Sequence, residues 1–82
     1  MPSLAATPSP PVVRYRFDHR KVRQLRELKG FNCSEFGYHI GRSPFAVAKY
    51  ERGNAMPGAD VVGAMAAVLG CSVNDLYVVE EG

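Results

Sequence analysis

The sequence predicts an all-α domain of five short helices, with a short strand near each end of the folded part. Three observations carry that reading. Apolar residues recur at three- and four-residue spacing in successive segments. The segments are punctuated by residues that cap helices and by glycines that end them. The stretch from Asn32 to Gly53, NCSEFGYHIGRSPFAVAKYERG, joins two such helices through a tight turn, the pattern of a helix-turn-helix.

In chain order, residues 1–11 hold four of the six prolines together with Ser, Ala and Thr, a composition that buries no core and predicts a disordered tail. The folded domain is expected over 12–82. Val12 to Phe17 alternates, with Val13, Tyr15 and Phe17 on one side and Arg14 and Arg16 on the other, as a short strand does. The only other strand-like stretch is Leu76 to Glu80. The two can pair with each other or each with its copy in a second chain, or Arg14 and Arg16 can belong to a basic arm. Asp18 is placed to cap a helix from His19 to Lys29, with Val22, Leu25 and Leu28 or Lys29 as its apolar stripe and Gly30 as its end.

Asn32 and Glu35 have the spacing of a capping box. Phe36 and Ile40 then give the next helix one apolar stripe. Gly41 follows where the chain needs a left-handed residue, which Gly adopts at little cost. Ser43 caps a second helix whose first residue is Pro44, where a missing N–H is harmless. Val47 and Tyr50 or Glu51 return to its inner face, and Gly53 closes it. After a loop from Asn54 to Pro57, Gly58 to Leu69 reads as a fourth helix with a wide apolar face of Val61, Val62, Met65, Ala66 and Leu69. Ser72 and Asp75 form another cap, predicting a short fifth helix with Val73 and Leu76 inward.

Bulk properties narrow the function. At 82 residues there is room for one domain. Cys33 and Cys71 form no CxxC pair, and His19 and His39 fall at no ligand-like spacing to them, so free thiols and no metal are expected. No cofactor is expected, and no enzyme, because there is no phosphate loop, no nucleophile beside a base and no facing carboxylate pair. No run of apolar residues approaches a membrane span, and MPSLAATPSPP lacks the features of a secretory signal, so a cytoplasmic location is expected. Charge is asymmetric. Residues 14–29 carry seven cations against two carboxylates, whereas residues 53–82 carry four carboxylates and no cation. Such a chain can turn one side to a polyanion.

The segments L-R-E-L-K-G-F at 25–31, Y-E-R-G at 50–53, Pro57, A-A-V-L-G at 66–70 and S-V-N-D-L at 72–76, set around the helix-turn-helix, together resemble the Cro/C1-type helix-turn-helix family of phage and bacterial regulators, over residues 18–77. The resemblance implies a five-helix, lambda-repressor-like DNA-binding domain whose third helix lies in the major groove. It implies that Arg26 and Glu51 form a structural ion pair. Carried onto this chain, it places Pro44, Phe45, Ala48 and Lys49 at base edges, and Asn32, Cys33, Arg42, Ser43, Arg52 and Asn54 at phosphates. Tyr38 is a further candidate contact. The chain departs from the family at two points: its reading face is apolar rather than amide-rich, and Cys33 replaces the usual Gln.

Two functions follow. One is a sequence-specific transcriptional repressor that binds a palindromic operator in double-stranded DNA as a homodimer, with no small-molecule ligand. The other is a protein-interaction module of antitoxin or adaptor type on the same fold, suggested by the apolar Pro44, Phe45, Ala46, Val47 and Ala48.

Overall fold

The computed structural model describes residues 12–81, the side chain of Glu81 excepted; the tail expected at 1–11 lies outside the described residues. The elements run β1 (Val13–Phe17), α1 (His19–Leu28), α2 (Cys33–Ile40), α3 (Pro44–Arg52), α4 (Ala59–Leu69), a 3-10 turn (Val73–Leu76) and β2 (Tyr77–Glu81). The helices form one layer around a small core, and the two strands leave it as an antiparallel ribbon. Its register pairs Val13 with Glu81, Tyr15 with Val79 and Phe17 with Tyr77. The strands therefore pair within the chain.

Local chemistry sets most boundaries. Asp18 Oδ1 accepts from the Lys21 N–H at 3.1 Å and starts α1. Asn32 and Glu35 make both halves of their capping box, at 2.8 and 3.0 Å. Ser43 Oγ accepts from the Ala46 N–H at 3.1 Å, with Pro44 next in line. The chain turns out of each of the four α-helices at a glycine of positive φ: Gly30, Gly41, Gly53 and Gly70.

The fifth helix is a correction: residues 73–76 make a single 3-10 turn. The Ser72–Asp75 cap does form, with the Ser72 N–H donating to Asp75 Oδ2 at 3.0 Å. Propagation then fails because the next groups are taken elsewhere. The Tyr77 N–H bonds back to the Asn74 carbonyl, and the Leu76 carbonyl accepts from the Asp18 N–H at 2.8 Å. Tyr77 is thereby extended and enters β2. Leu76 is fully buried but Val73 is largely exposed.

The core gathers Phe17, Val22, Phe36, Ile40, Val47, Val61, Val62, Met65, Ala66, Leu69 and Leu76. The apolar face foreseen for α4 is the face that is buried. In α1 the stripe is shorter than expected. Leu28 is 82% exposed, and the buried position one turn after Val22 belongs to Arg26.

Arg26 is buried because its donors are matched. Its Nε and Nη2 donate to the two oxygens of Glu51 at 2.6 and 2.9 Å, and Nη1 donates to the Phe31 carbonyl at 2.8 Å. The hydrogen bond to Glu51, outweighing the cost of burial, raises the guanidinium pKa further, so the charge is permanent. His19 adds a bond from Nδ1 to the Glu51 carbonyl at 2.9 Å. Helix α1, its exit loop and the end of α3 are thus one unit.

Gly37 was not singled out by the sequence. It is buried in α2 where the chain folds back into α3, and its carbonyl accepts from the Arg42 N–H at 2.8 Å. A Cβ at 37 would stand 2.5 Å from the Arg42 carbonyl oxygen, whereas one at Gly63 in α4 would meet nothing.

Three outcomes are expected. In denaturant melts, Gly63→Ala stabilises by about 0.5–1 kcal/mol, the ordinary gain within a helix, whereas Gly37→Ala destabilises. Arg26→Met strands the Glu51 carboxylate and costs about 3–5 kcal/mol, much of the stability of a domain this small; changing both residues to Met costs far less than the two single changes added together. The backbone N–H and hydroxyl of Ser72 hold the Asp75 carboxyl below its ordinary value. A group depressed in the folded state contributes stability above its unfolded pKa and loses it as pH falls through the folded one. Asp75→Ala should therefore melt lower than the parent at pH 7, and the two should converge well below pH 3.8, the ordinary value for the group.

Candidate nucleic-acid interface

Helix α3 is held from one side only. Val47 and Glu51 are buried, Ala46, Ala48 and Tyr50 are half-buried, and Pro44, Phe45, Lys49 and Arg52 are exposed. Inner anchoring at four-residue spacing leaves the opposite face free, which is what helical periodicity requires. Phe45 is 80% exposed, an expensive state for a large apolar ring in water. The candidate base-reading residues Pro44, Phe45, Ala48 and Lys49 therefore share one side of α3.

The candidate phosphate residues separate into two groups. Cys33, the first residue of α2, lines a shallow groove of about 210 Å³ together with Ala48 and Arg52 of α3, and with Arg26 and Glu51 at its floor. Asn32 stands next to Cys33, its amide oxygen committed to the cap. The second group lies outside that groove. Ser43 and Arg42 are in the turn before α3. The Arg42 guanidinium donates to the Gly41 carbonyl at 2.9 Å and stands 3.7 Å from Asp60. Asn54 follows α3, its N–H bonded to the Lys49 carbonyl at 2.9 Å. Tyr38 is 83% exposed on α2 and meets His39 edge-on, with ring centres 5.5 Å apart.

Arg23, which the sequence did not single out, also lines the groove. A signal was present: Arg23 is three residues before Arg26 and so shares its side of the helix. Its Nε donates to Glu27 at 2.8 Å, and that bond holds the Glu27 carboxyl below the usual range. The groove thus carries two exposed guanidinium groups, Arg23 and Arg52, beside the start of α2. Such a surface suits an anionic backbone. Among the described residues no cluster of His, Cys, Asp or Glu could hold a metal ion, and no helix is long and apolar enough to cross a membrane.

Comparison with known proteins agrees with this architecture. A family model described as a helix-turn-helix domain matches residues 20–76. An uncharacterized HTH-type transcriptional regulator of Bacillus subtilis, YazB, is 35% identical over 57 residues, which are 70% of this chain and 83% of that protein. The P22 c2 repressor, in a crystal structure with a synthetic operator, superposes with a TM-score of 0.70 at 23% identity, over 74% of this chain and 92% of that one. The restriction-modification controller protein C.AhdI of Aeromonas hydrophila does so at 0.67 and 22% identity, over 71% and 88%. The two solved structures share the fold. The family match and the B. subtilis relative go further: the chain belongs to the helix-turn-helix family of HTH-type transcriptional regulators.

Proposed function

We propose that this protein is a transcriptional repressor that recognises a palindromic operator as a homodimer, with α3 in the major groove. The observation that carries the reading is the outward face of α3. Phe45 and Lys49 project from a helix clamped from behind by Val47 and Glu51, with Arg42 before it and Arg52 at its end. A rigid mount matters because base contacts depend on sub-ångström placement.

The chemistry of that face is mostly apolar. Phe45 and Ala48 suit thymine methyl groups, and Lys49 suits a guanine edge or a phosphate. Arg42, Arg52, Ser43, Asn32 and Asn54 supply donors to the backbone on either side, together with the first N–H groups of α2 at Cys33. Occupying promoter DNA is sufficient for repression, without catalysis. One short helix reads few base pairs, so a two-fold arrangement on an inverted repeat supplies the missing discrimination.

A second reading rests on Phe45 and Tyr38, both at least four-fifths exposed: the helix-turn-helix docks on an apolar protein groove instead. Salt separates the two. Binding to phosphates releases counterions and weakens steeply with salt, whereas an apolar contact does not.

Selection from a random-sequence duplex pool at two salt concentrations should enrich an inverted repeat. Phe45→Ala and Lys49→Ala should each weaken binding to it by about 1–3 kcal/mol, measured by fluorescence anisotropy. Arg42→Ala and Arg52→Ala should each lower the slope of log affinity against log salt by about 0.9 with the enriched sequence unchanged. A pool that yields no sequence would sink the operator reading.

A further inference from the structure

The outward face of α3 is defined as much by the groups it lacks as by those it carries. Side chains that read base edges by hydrogen bonds are Arg and Lys for guanine, Asn and Gln for adenine, and Asp and Glu for the cytosine amino group. The amides of this chain are Gln24, Asn32, Asn54 and Asn74, and none of them is on α3. The one acid of α3, Glu51, is buried, with both carboxylate oxygens bonded to Arg26. Tyr50 packs against the core, and Arg52, the last residue of the helix, lines the groove beside Cys33. What remains is Pro44, Phe45, the half-buried Ala48 and Lys49.

Building on the major-groove reading proposed above, on which it rests, we infer that α3 recognises the C5-methyl group of pyrimidines as such. 5-Methylcytosine then serves in place of thymine, and binding responds to methylation of cytosine in the DNA. The C5-methyl is the apolar group that base edges present in the major groove, and thymine carries it there. In 5-methylcytosine it stands on the same ring carbon. Phe45 is 80% exposed, so its ring is free to cover that methyl and leave water with it. Ala48 follows Phe45 by three residues and so lies beside it on the helix surface, and its small side chain leaves room for a methyl next to the ring.

The polar groups on this face do not separate the two bases. Beside the methyl, a thymine·adenine pair offers acceptors at thymine O4 and adenine N7 and a donor at adenine N6. A 5-methylcytosine·guanine pair offers acceptors at guanine O6 and N7 and a donor at cytosine N4. Telling them apart takes an acceptor set against one of the amino groups, and Pro44, Phe45 and Ala48 have no polar side chain. Lys49 is a donor only. It follows Phe45 by one turn on the same side of the helix, and it finds an acceptor in either pair. An amide at 45 or 49 would instead have required adenine opposite the methyl. Unmethylated cytosine has the hydrogen-bonding pattern of 5-methylcytosine without the methyl, so it is the pyrimidine this face disfavours.

Charge commits the exposed ring to DNA. Arg42 stands ahead of α3, Arg23 and Arg52 line the groove beside Cys33, and Lys49 lies within the face itself. All four are exposed cations, and they surround Phe45 with the charge that a phosphate backbone complements. The mount is firm enough for a contact as short-ranged as ring on methyl. Ser43 caps the helix at Ala46, and Val47 and Glu51 hold it from behind.

The test is selection by the full chain from random duplex pools built with modified nucleotides. One pool holds thymine and cytosine. Another holds deoxyuridine in place of thymine, which removes every C5-methyl. The last holds deoxyuridine in place of thymine and 5-methylcytosine in place of cytosine. The first and last pools should each enrich a motif, with 5-methylcytosine in the last standing where thymine stands in the first. Rebuilding the first motif with deoxyuridine should weaken binding about fourfold for each contacted methyl removed, measured by fluorescence anisotropy. Phe45→Ala should erase most of that difference, and Phe45→Leu, which keeps an apolar contact, should retain it; circular dichroism melts check that both variants fold. Three results would each overturn the inference and leave the operator reading standing: equal affinity for the thymine and deoxyuridine duplexes, a last pool that places no 5-methylcytosine at the thymine positions, or a methyl preference undiminished by Phe45→Ala in a folded chain. No motif from any pool would overturn the operator reading, and this inference with it.

Discussion

The structure depends on the buried pair of Arg26 and Glu51. Two opposite charges out of water are tolerable only when nearly every donor and acceptor is matched. Here the two carboxylate oxygens take two guanidinium donors, and a third donor goes to the Phe31 carbonyl. The consequence is geometric. Glu51 is on the inner face of α3, one turn after Val47, so the pair fixes the roll of α3 about its own axis as well as its distance from α1. An apolar residue at 51 would bury as readily but would specify rotation less sharply. The outward direction of Phe45 and Lys49 follows from that roll.

The turn between α2 and α3 is the second constraint, and it is steric. The close approach of the Arg42 carbonyl to Gly37 lets α3 begin directly beneath α2. Gly41 supplies the left-handed step and Ser43 the cap. With both ends of α3 set in this way, the exposed ring of Phe45 is carried by a frame with little freedom, although its own surroundings are water.

What the sequence disclosed was what short-range chemistry controls. Capping boxes at Asn32 and Ser72, Pro44 at the head of α3, and the inner face of α4 each rest on residues within one helical turn of one another, so they could be read from spacing. Three features were hidden because they depend on groups more than one helical turn away. The helix expected after Ser72 stops because Asp18, nearly sixty residues earlier, takes the Leu76 carbonyl. Leu28 looked like the third residue of a stripe, but Arg26 had a matched carboxylate waiting and took the inner side of α1 instead. Gly37 gave no local signal, since the atom it must admit belongs to the next turn. At the candidate interface, the residues of α3 came from the family resemblance, and helical periodicity accounts for the exposure of Pro44, Phe45 and Lys49. The groove that gathers Cys33, Ala48 and Arg52 with Arg23 was not legible, because its walls come from three helices.

The ribbon has a mechanical consequence. Val13 and Glu81 are partners at its open end, so a force that separates the two ends of the folded region acts across the ladder rather than along it. The load then falls on one rung at a time, as in peeling, and the strands part at low force. The bond between Asp18 and Leu76 is the last rung, and beyond it the pull reaches the cap of α1 and the packed Leu76 together. The ends of this domain can therefore yield under tension and re-form while the helix-turn-helix stays whole.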